Sequence, residues 1–114
     1  MKLRNAFTQE TRLLYLYQTS CFICGSNGND RGGLEIHHIL GRISKSAFNS
    51  SCLCGYCHKG ICHNKEEHRE IFFHTIRFLK QINYQPKDED WEFLKENFDE
   101  LVGEENKDKL LKVL

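Results

Sequence analysis

What this chain lacks narrows its class before any motif is read. No apolar run approaches the ~20 residues of a bilayer-spanning helix, and the opening Met1-Lys2-Leu3-Arg4 does not lead into the hydrophobic stretch of a secretory signal. A cytoplasmic protein without membrane attachment is therefore expected. The single proline, Pro86, provides one built-in helix stop. Repeats and low-complexity tracts are missing as well. Net charge is zero, with 16 Lys/Arg against 16 Asp/Glu, which at first argues against a polyanionic partner. The middle of the chain is short of apolar periodicity: Gly25–Gly33 holds four glycines and almost nothing to bury. A segment of that kind is ordinarily held by a metal or by crosslinks.

Cysteine and histidine are plentiful. All six cysteines and four of the six histidines lie between Cys21 and His63. In a cytosolic setting the cysteines read as thiolates rather than disulfides. The charge is also unevenly spread. Residues 1–81 carry 11 Lys/Arg and 6 Asp/Glu, whereas residues 82–114 carry 5 and 10. A basic metal-rich part with an acidic appendage fits nucleic-acid binding. The acidic part is then expected to lie away from the binding cleft or to meet a basic surface, on a protein partner or a second copy.

The length predicts one domain. Residues 8–19 read as a helix with Thr8 at its N-cap, carrying Leu13, Leu14, Leu16 and Tyr17. Leu34–Ile39 is a short extended segment stopped by Gly41, and Ala47–Leu53 returns as a second strand. A helix starts near Cys57, and a longer one runs to about Gln81 with Phe72, Ile76 and Leu79 at helical spacing. A last helix from Asp88 to Val102 places Trp91, Leu94, Phe98 and Leu101 on one core stripe. It closes at Gly103 and leaves a charged segment ending in LLKVL.

Cys21-x2-Cys24 and Cys54-x2-Cys57, thirty-odd residues apart, form a structural-zinc pattern, because four thiolates close a tetrahedral site. Cys52 is the rival of Cys54 but lacks the knuckle spacing. The histidines need a separate account. In an extended segment His37 and His38 point to opposite faces. One can then bind a metal while the other handles a proton, the task for which a neutral imidazole is best suited near pH 7. His58 follows the second knuckle directly, with Cys62 and His63 about a turn later. A strand, a returning strand and a helix closing on a divalent cation make a ββα-metal arrangement. His68 and His74 read as surface or packing residues, and Trp91 as core rather than a base-stacking platform.

The string Cys-x2-Cys … Leu-Glu-Ile-His-His-Ile-Leu-Gly-Arg … Asn49 … Leu-Cys-x2-Cys-His58 resembles the HNH (His-Asn-His) endonucleases, particularly their small zinc-knuckle members from phages and bacteria. The likeness spans roughly residues 21–63. It implies a small α+β fold: a ββα-metal (His-Me finger) core stapled by the four-cysteine zinc, with flanking helices. Residues 1–114 would form one nuclease domain, with an N-terminal helix in 1–20, the core in 21–63 and C-terminal helices in 64–114. The resemblance further implies that His37 and His58 are ligands of the active-site metal and that His38 is the general base. Asn49 orients the loop, and Glu35 matches an acidic residue that colicin-type members place near the base. Members often carry a further histidine four residues after the third motif position. Here that position is Cys62, with His63 one later, so either His63 ligates, or Cys62 substitutes, or water fills the site. Two protein ligands with water and phosphate suit Mg2+, and an added imidazole shifts preference toward Zn2+, Ni2+ or Mn2+. Arg42 and Lys45 are candidate phosphate contacts. The expected activity is metal-dependent hydrolysis of DNA phosphodiesters in a bacterial or phage-infected cytosol. The alternatives are a non-catalytic zinc-finger-like nucleic-acid-binding module and an RNA-directed nuclease of the same fold.

Overall fold

The computed structural model describes residues 7–16, 20–29, 32–60 and 64–114. We number its helices α1 (Gln9–Leu14), α2 (Gly55–Gly60), α3 (Lys65–Gln81), α4 (Asp88–Glu96), α5 (Phe98–Leu101) and α6 (Lys107–Val113), and its strands β1 (Leu34–His38) and β2 (Ser50–Cys54). The molecule is assembled around α3. Ile71, Phe72, Phe73, Thr75, Ile76, Phe78 and Leu79 of this helix are buried, recurring at the three- and four-residue steps that make one broad apolar face. The Asn64 side chain accepts from the Glu67 N–H at 2.9 Å, satisfying one of the donors that a helix start leaves open. Glu66 and Glu67 place negative charge in the first turn, where the helix dipole favours it.

Against α3 lies a two-stranded sheet. β1 and β2 are antiparallel, with Leu34 opposite Cys54, Ile36 opposite Cys52, His37 opposite Ser51 and His38 opposite Ser50. All five residues of β2 are buried. The Thr75 hydroxyl donates to the Ser50 carbonyl at 2.6 Å and pins the start of that strand to α3. β2 begins three residues later than the sequence predicts. Ser46 instead caps a 3-10 turn over Ala47–Asn49, its side chain accepting from the Phe48 N–H. α2 follows β2 without a break, so the chain runs strand, strand, helix. The whole is a small α+β structure with a Cα radius of gyration of 13.4 Å, close to the ~13 Å of a compact unit of this length.

The N-terminal helix is shorter than expected. Thr8 does cap it, accepting from the Thr11 N–H at 3.2 Å, but α1 ends at Leu14, and Tyr17 lies outside the described residues. The buried side is Phe7, Thr11 and Tyr15, while Leu13 and Leu16 are 56% and 63% exposed. A polar anchor turned the helix this way: the Tyr15 hydroxyl meets Ser50 Oγ at 2.7 Å.

The last helix is broken rather than continuous. At Asn97 both the backbone N–H and the side-chain amide donate to the Phe93 carbonyl. The chain then restarts as α5, which carries Leu101 and Val102 fully into the core. The core stripe of α4 is also rotated from the predicted one. Asp90, Phe93 and Leu94 are buried, and Trp91 sits at the rim, 43% exposed with its edge against Phe48. Asp90 tolerates burial because it accepts from the Ser46 hydroxyl, from the Tyr84 hydroxyl at 2.6 Å and from the Lys87 N–H at 2.8 Å. The charged C-terminal segment contains a helix, α6, which buries Leu110. Among the described residues no helix is long and apolar enough to cross a membrane.

Candidate functional site

The first knuckle is a tight turn. The Cys21 N–H donates to the Ser26 carbonyl and the Gly25 N–H to the Cys21 carbonyl, both at 2.9 Å. Gly25 adopts φ +74°, a backbone that residues with a Cβ rarely adopt. The second knuckle is built at a junction: Cys54 ends β2, and Cys57 lies in α2. The sulfurs of Cys21, Cys24, Cys54 and Cys57 all lie within 4.8 Å of one another. Cys24 and Cys54 are separated by 3.8 Å, which matches the tetrahedral edge of about 3.8 Å set by Zn–S bonds of about 2.3 Å. Backbone N–H groups point at the sulfurs, from Ile23 to Cys21 and from Cys57 to Cys54, each at 3.4 Å. Hydrogen bonds with the Ser26 side chain and backbone hold the Cys24 thiol below its ordinary pKa, favouring the thiolate that ligates metal. None of the five described cysteines is in a disulfide. These four side chains are close enough to hold one metal ion such as zinc.

Cys52 belongs elsewhere. It packs in the main core opposite Ile36, and burial pushes its thiol up to about 11. The glycine-rich loop closes on itself and on the second knuckle. The Gly33 N–H donates to the Gly28 carbonyl at 2.8 Å, and the Gly55 N–H to the Gly33 carbonyl at 3.0 Å. A Cβ on Gly28 would come within 2.8 Å of the Gly33 carbonyl carbon, so the loop is legible as glycine-dependent.

The histidines occupy the other end of β1. His37 is buried and His58 half-buried, and His37 Nδ1 lies 3.0 Å from His58 Nε2. The opposite nitrogen of His58, Nδ1, meets Glu35 Oε1 at 2.8 Å. A carboxylate only accepts, so Glu35 keeps the proton of His58 on Nδ1 and leaves the Nε2 lone pair facing His37. Glu35 and His37 share one face of β1, by the two-residue period of a strand. Two imidazole nitrogens at this spacing could serve as neighbouring ligands of one cation. Metal–nitrogen bonds of about 2.1 Å put cis nitrogens of an octahedron about 3.0 Å apart, and a carboxylate behind one imidazole is the usual orienting partner of a ligating histidine.

His38 lies on the opposite face. It is half-buried, and its ring is stacked on that of Phe7 with centroids 3.9 Å apart and planes 9° from parallel. Just beyond it the chain turns, and Asn49 holds that turn. Asn49 is fully buried. Its Oδ1 accepts from the Leu40 N–H at 2.9 Å, and its Nδ2 donates to the Gly41 and Ser44 carbonyls at 2.9 and 3.0 Å. The Asn49 carbonyl accepts from the Ile39 N–H at 2.8 Å. The backbone leaving His38 is thereby tied to one residue at four points.

Arg42 and Lys45 are exposed on the loop that Asn49 braces. Cys62 and His63 lie outside the described residues. His68 and His74 take packing positions: His68 meets Glu100 at 2.7 Å, and His74 lies near Phe22. Phe7, Tyr15 and Ser50 were not legible as site residues, because nothing in their spacing links residues 7–15 to the histidines. No protein-family model, curated protein or solved structure matches this chain.

Proposed function

We propose that this chain is a metal-dependent endonuclease of the HNH type, hydrolysing DNA phosphodiester bonds on a ββα-metal core stapled by zinc on Cys21, Cys24, Cys54 and Cys57. The observation that carries this reading is the meeting of His37 and His58 nitrogens at 3.0 Å, with His38 next along the strand on its other face. A binding module has no need of that pairing. His37 and His58 would hold the active-site cation, as Mg2+, Mn2+, Ni2+ or Zn2+, and Glu35 would orient His58. When bound, the cation supplies charge neutralisation at the scissile phosphate and at the departing oxygen.

His38 takes a proton from water as the water oxygen forms its bond to phosphorus in line with the bond that breaks. The phosphorus–O3′ bond then cleaves, and the 3′-oxygen leaves and is protonated by solvent. The products are a 5′-phosphate and a 3′-hydroxyl. Asn49 fixes the backbone that follows the base. Arg42 and Lys45 contact neighbouring phosphates from the braced loop.

Plasmid cleavage across Mg2+, Mn2+, Ni2+ and Zn2+, with wild type and His38→Ala, tests the assignment. The variant is expected to lose about two to four orders of magnitude in rate while retaining its metal. Cleavage by His38→Ala at the wild-type rate sinks the mechanism. DNA binding without cleavage under any of these metals favours a non-catalytic zinc-finger-like module, and cleavage confined to RNA moves the same chemistry to the other substrate.

A further inference from the structure

The histidine proposed as base does not stand alone on its face of the sheet. Phe7 covers one face of the His38 ring at a centroid distance of 3.9 Å and a tilt of 9°, and is itself only 7% exposed. Aromatic pairs left to their own electrostatics settle offset or edge-on, with centroids about 4.5–7 Å apart. A stack this close and this flat is held by its surroundings.

The frame is α1. Thr8 follows Phe7 directly and caps the helix, which sets the direction in which the Phe7 side chain leaves the backbone. Eight residues on, the Tyr15 hydroxyl meets Ser50 Oγ at 2.7 Å, and Ser50 is the residue opposite His38 across the sheet. The same helix reaches the rest of the molecule through Lys87, whose ammonium donates to Glu10 at 2.7 Å. The residues flanking this one short helix, Phe7 and Tyr15, therefore contact both members of the His38–Ser50 pair.

We infer that Phe7 is a positioning residue for His38, fixing the plane of its imidazole. This inference rests on the nuclease reading for its kinetic consequence, though not for its geometry. The outer torsion of a histidine is a broad, roughly two-fold sp3–sp2 rotation, so backbone placement alone leaves the ring free to swing. A flat wall against one face restricts that rotation and holds the imidazole plane parallel to the Phe7 ring. For a group that must meet a water in line with phosphorus, a misplacement of about 1 Å can cost about 100-fold in rate.

The test uses the full chain with its metals, as wild type, Phe7→Leu, Phe7→Tyr and His38→Ala. Phe7→Leu keeps apolar bulk without a flat face, and Phe7→Tyr keeps the face. The ring current of Phe7 should displace the His38 ring protons upfield in the NMR spectrum of the wild type, and Phe7→Leu should abolish that displacement. In cleavage, Phe7→Leu should lower kcat by roughly 10- to 100-fold, with KM and metal content little changed. The melting temperature should fall by about 4–8 °C per kcal/mol of lost packing, so rates are compared at a temperature where both proteins are folded. Phe7→Tyr should recover most of the loss. Ordinary His38 shifts in the wild type overturn the inference whatever the variants do. So does a Phe7→Leu enzyme with wild-type kcat while His38→Ala is inactive. If His38→Ala cuts at the wild-type rate, the nuclease reading fails instead, and the ring shifts alone decide whether Phe7 sets the imidazole.

Discussion

The backbone on which the candidate histidines depend is held by a side-chain amide. Asn49 commits both of its amide donors and its carbonyl oxygen to a single turn, accepting once and donating twice through its side chain. It does so with no exposure to solvent. Removing it leaves one N–H and two carbonyls without their partner, and a net hydrogen bond contributes about 1 kcal/mol, more where the remaining group stays buried. Asn49→Ala is therefore expected to cost about 2–4 kcal/mol in urea unfolding and to lower cleavage further than the stability loss alone. Unchanged stability in this variant would contradict the brace. The residue was legible from its nine-residue spacing to His58; its partners were not, because a turn's hydrogen bonds depend on where both strands end.

Among elements, the junction of β2 with α2 is the one that a metal on the four cysteines would most plainly organise. The glycine-rich loop before β1 has no apolar side chain to anchor it between Gly25 and Gly33, and its fixed points are the Cys21–Cys24 knuckle and the Gly33–Gly55 hydrogen bond. A metal bound there would contribute directly to folding. Cys24→Ser, at an exposed position where the substitution disturbs no packing, should release the ion and lower the melting temperature by about 10 °C or more, given about 4–8 °C per kcal/mol in a small domain. A Cys24→Ser protein that keeps one tightly bound zinc and its wild-type melting temperature would remove the site. The long helix α3 followed from its helical spacing and β1 from a short extended segment ended by glycine, whereas β2 starts three residues later than expected. The break at Asn97 and the helix α6 did not follow from spacing, because each is decided by a single capping contact or by one buried leucine, too little signal for a repeat to register.

Over the whole molecule, the uneven charge takes on a specific arrangement. The acidic C-terminal part is built into the core: Phe93, Leu94, Leu101, Val102 and Leu110 are all buried with α3. Each such side chain contributes about 1.5–3 kcal/mol, and a domain of this kind has only about 5–15 kcal/mol to lose. A truncation after Gln85 should therefore fail to fold cooperatively. Apart from the buried Asp90 and the half-buried Glu100, the acidic groups of this part face outward. Asp99 is paired with Lys65 at 2.7 Å, and Glu105 with Arg69. Glu89, Glu92 and Glu96 line a cleft with Ile43 and Ser44, beside the loop of Arg42 and Lys45. Replacing all three by Gln should leave the melting temperature nearly unchanged and tighten DNA binding roughly threefold or more at low salt, an effect that fades as salt screens the surface. Weaker binding by that variant would show that the acidic face contributes to the complex.

Residue types and their spacing were enough to single out the four-cysteine set, to prefer Cys54 over Cys52, to put His37 and His38 on opposite faces, and to mark the long apolar helix. These are properties of local geometry: two thiols three residues apart, a strand of period two, a helix of period 3.6. Tertiary structure alone decided which groups meet across the chain. It brought His37 within 3.0 Å of His58, put Glu35 behind His58, buried Asp90 in place of Trp91, and laid Phe7 flat against His38. Such contacts join residues far apart in sequence through packing and a few buried hydrogen bonds, and no local pattern encodes the distance between them.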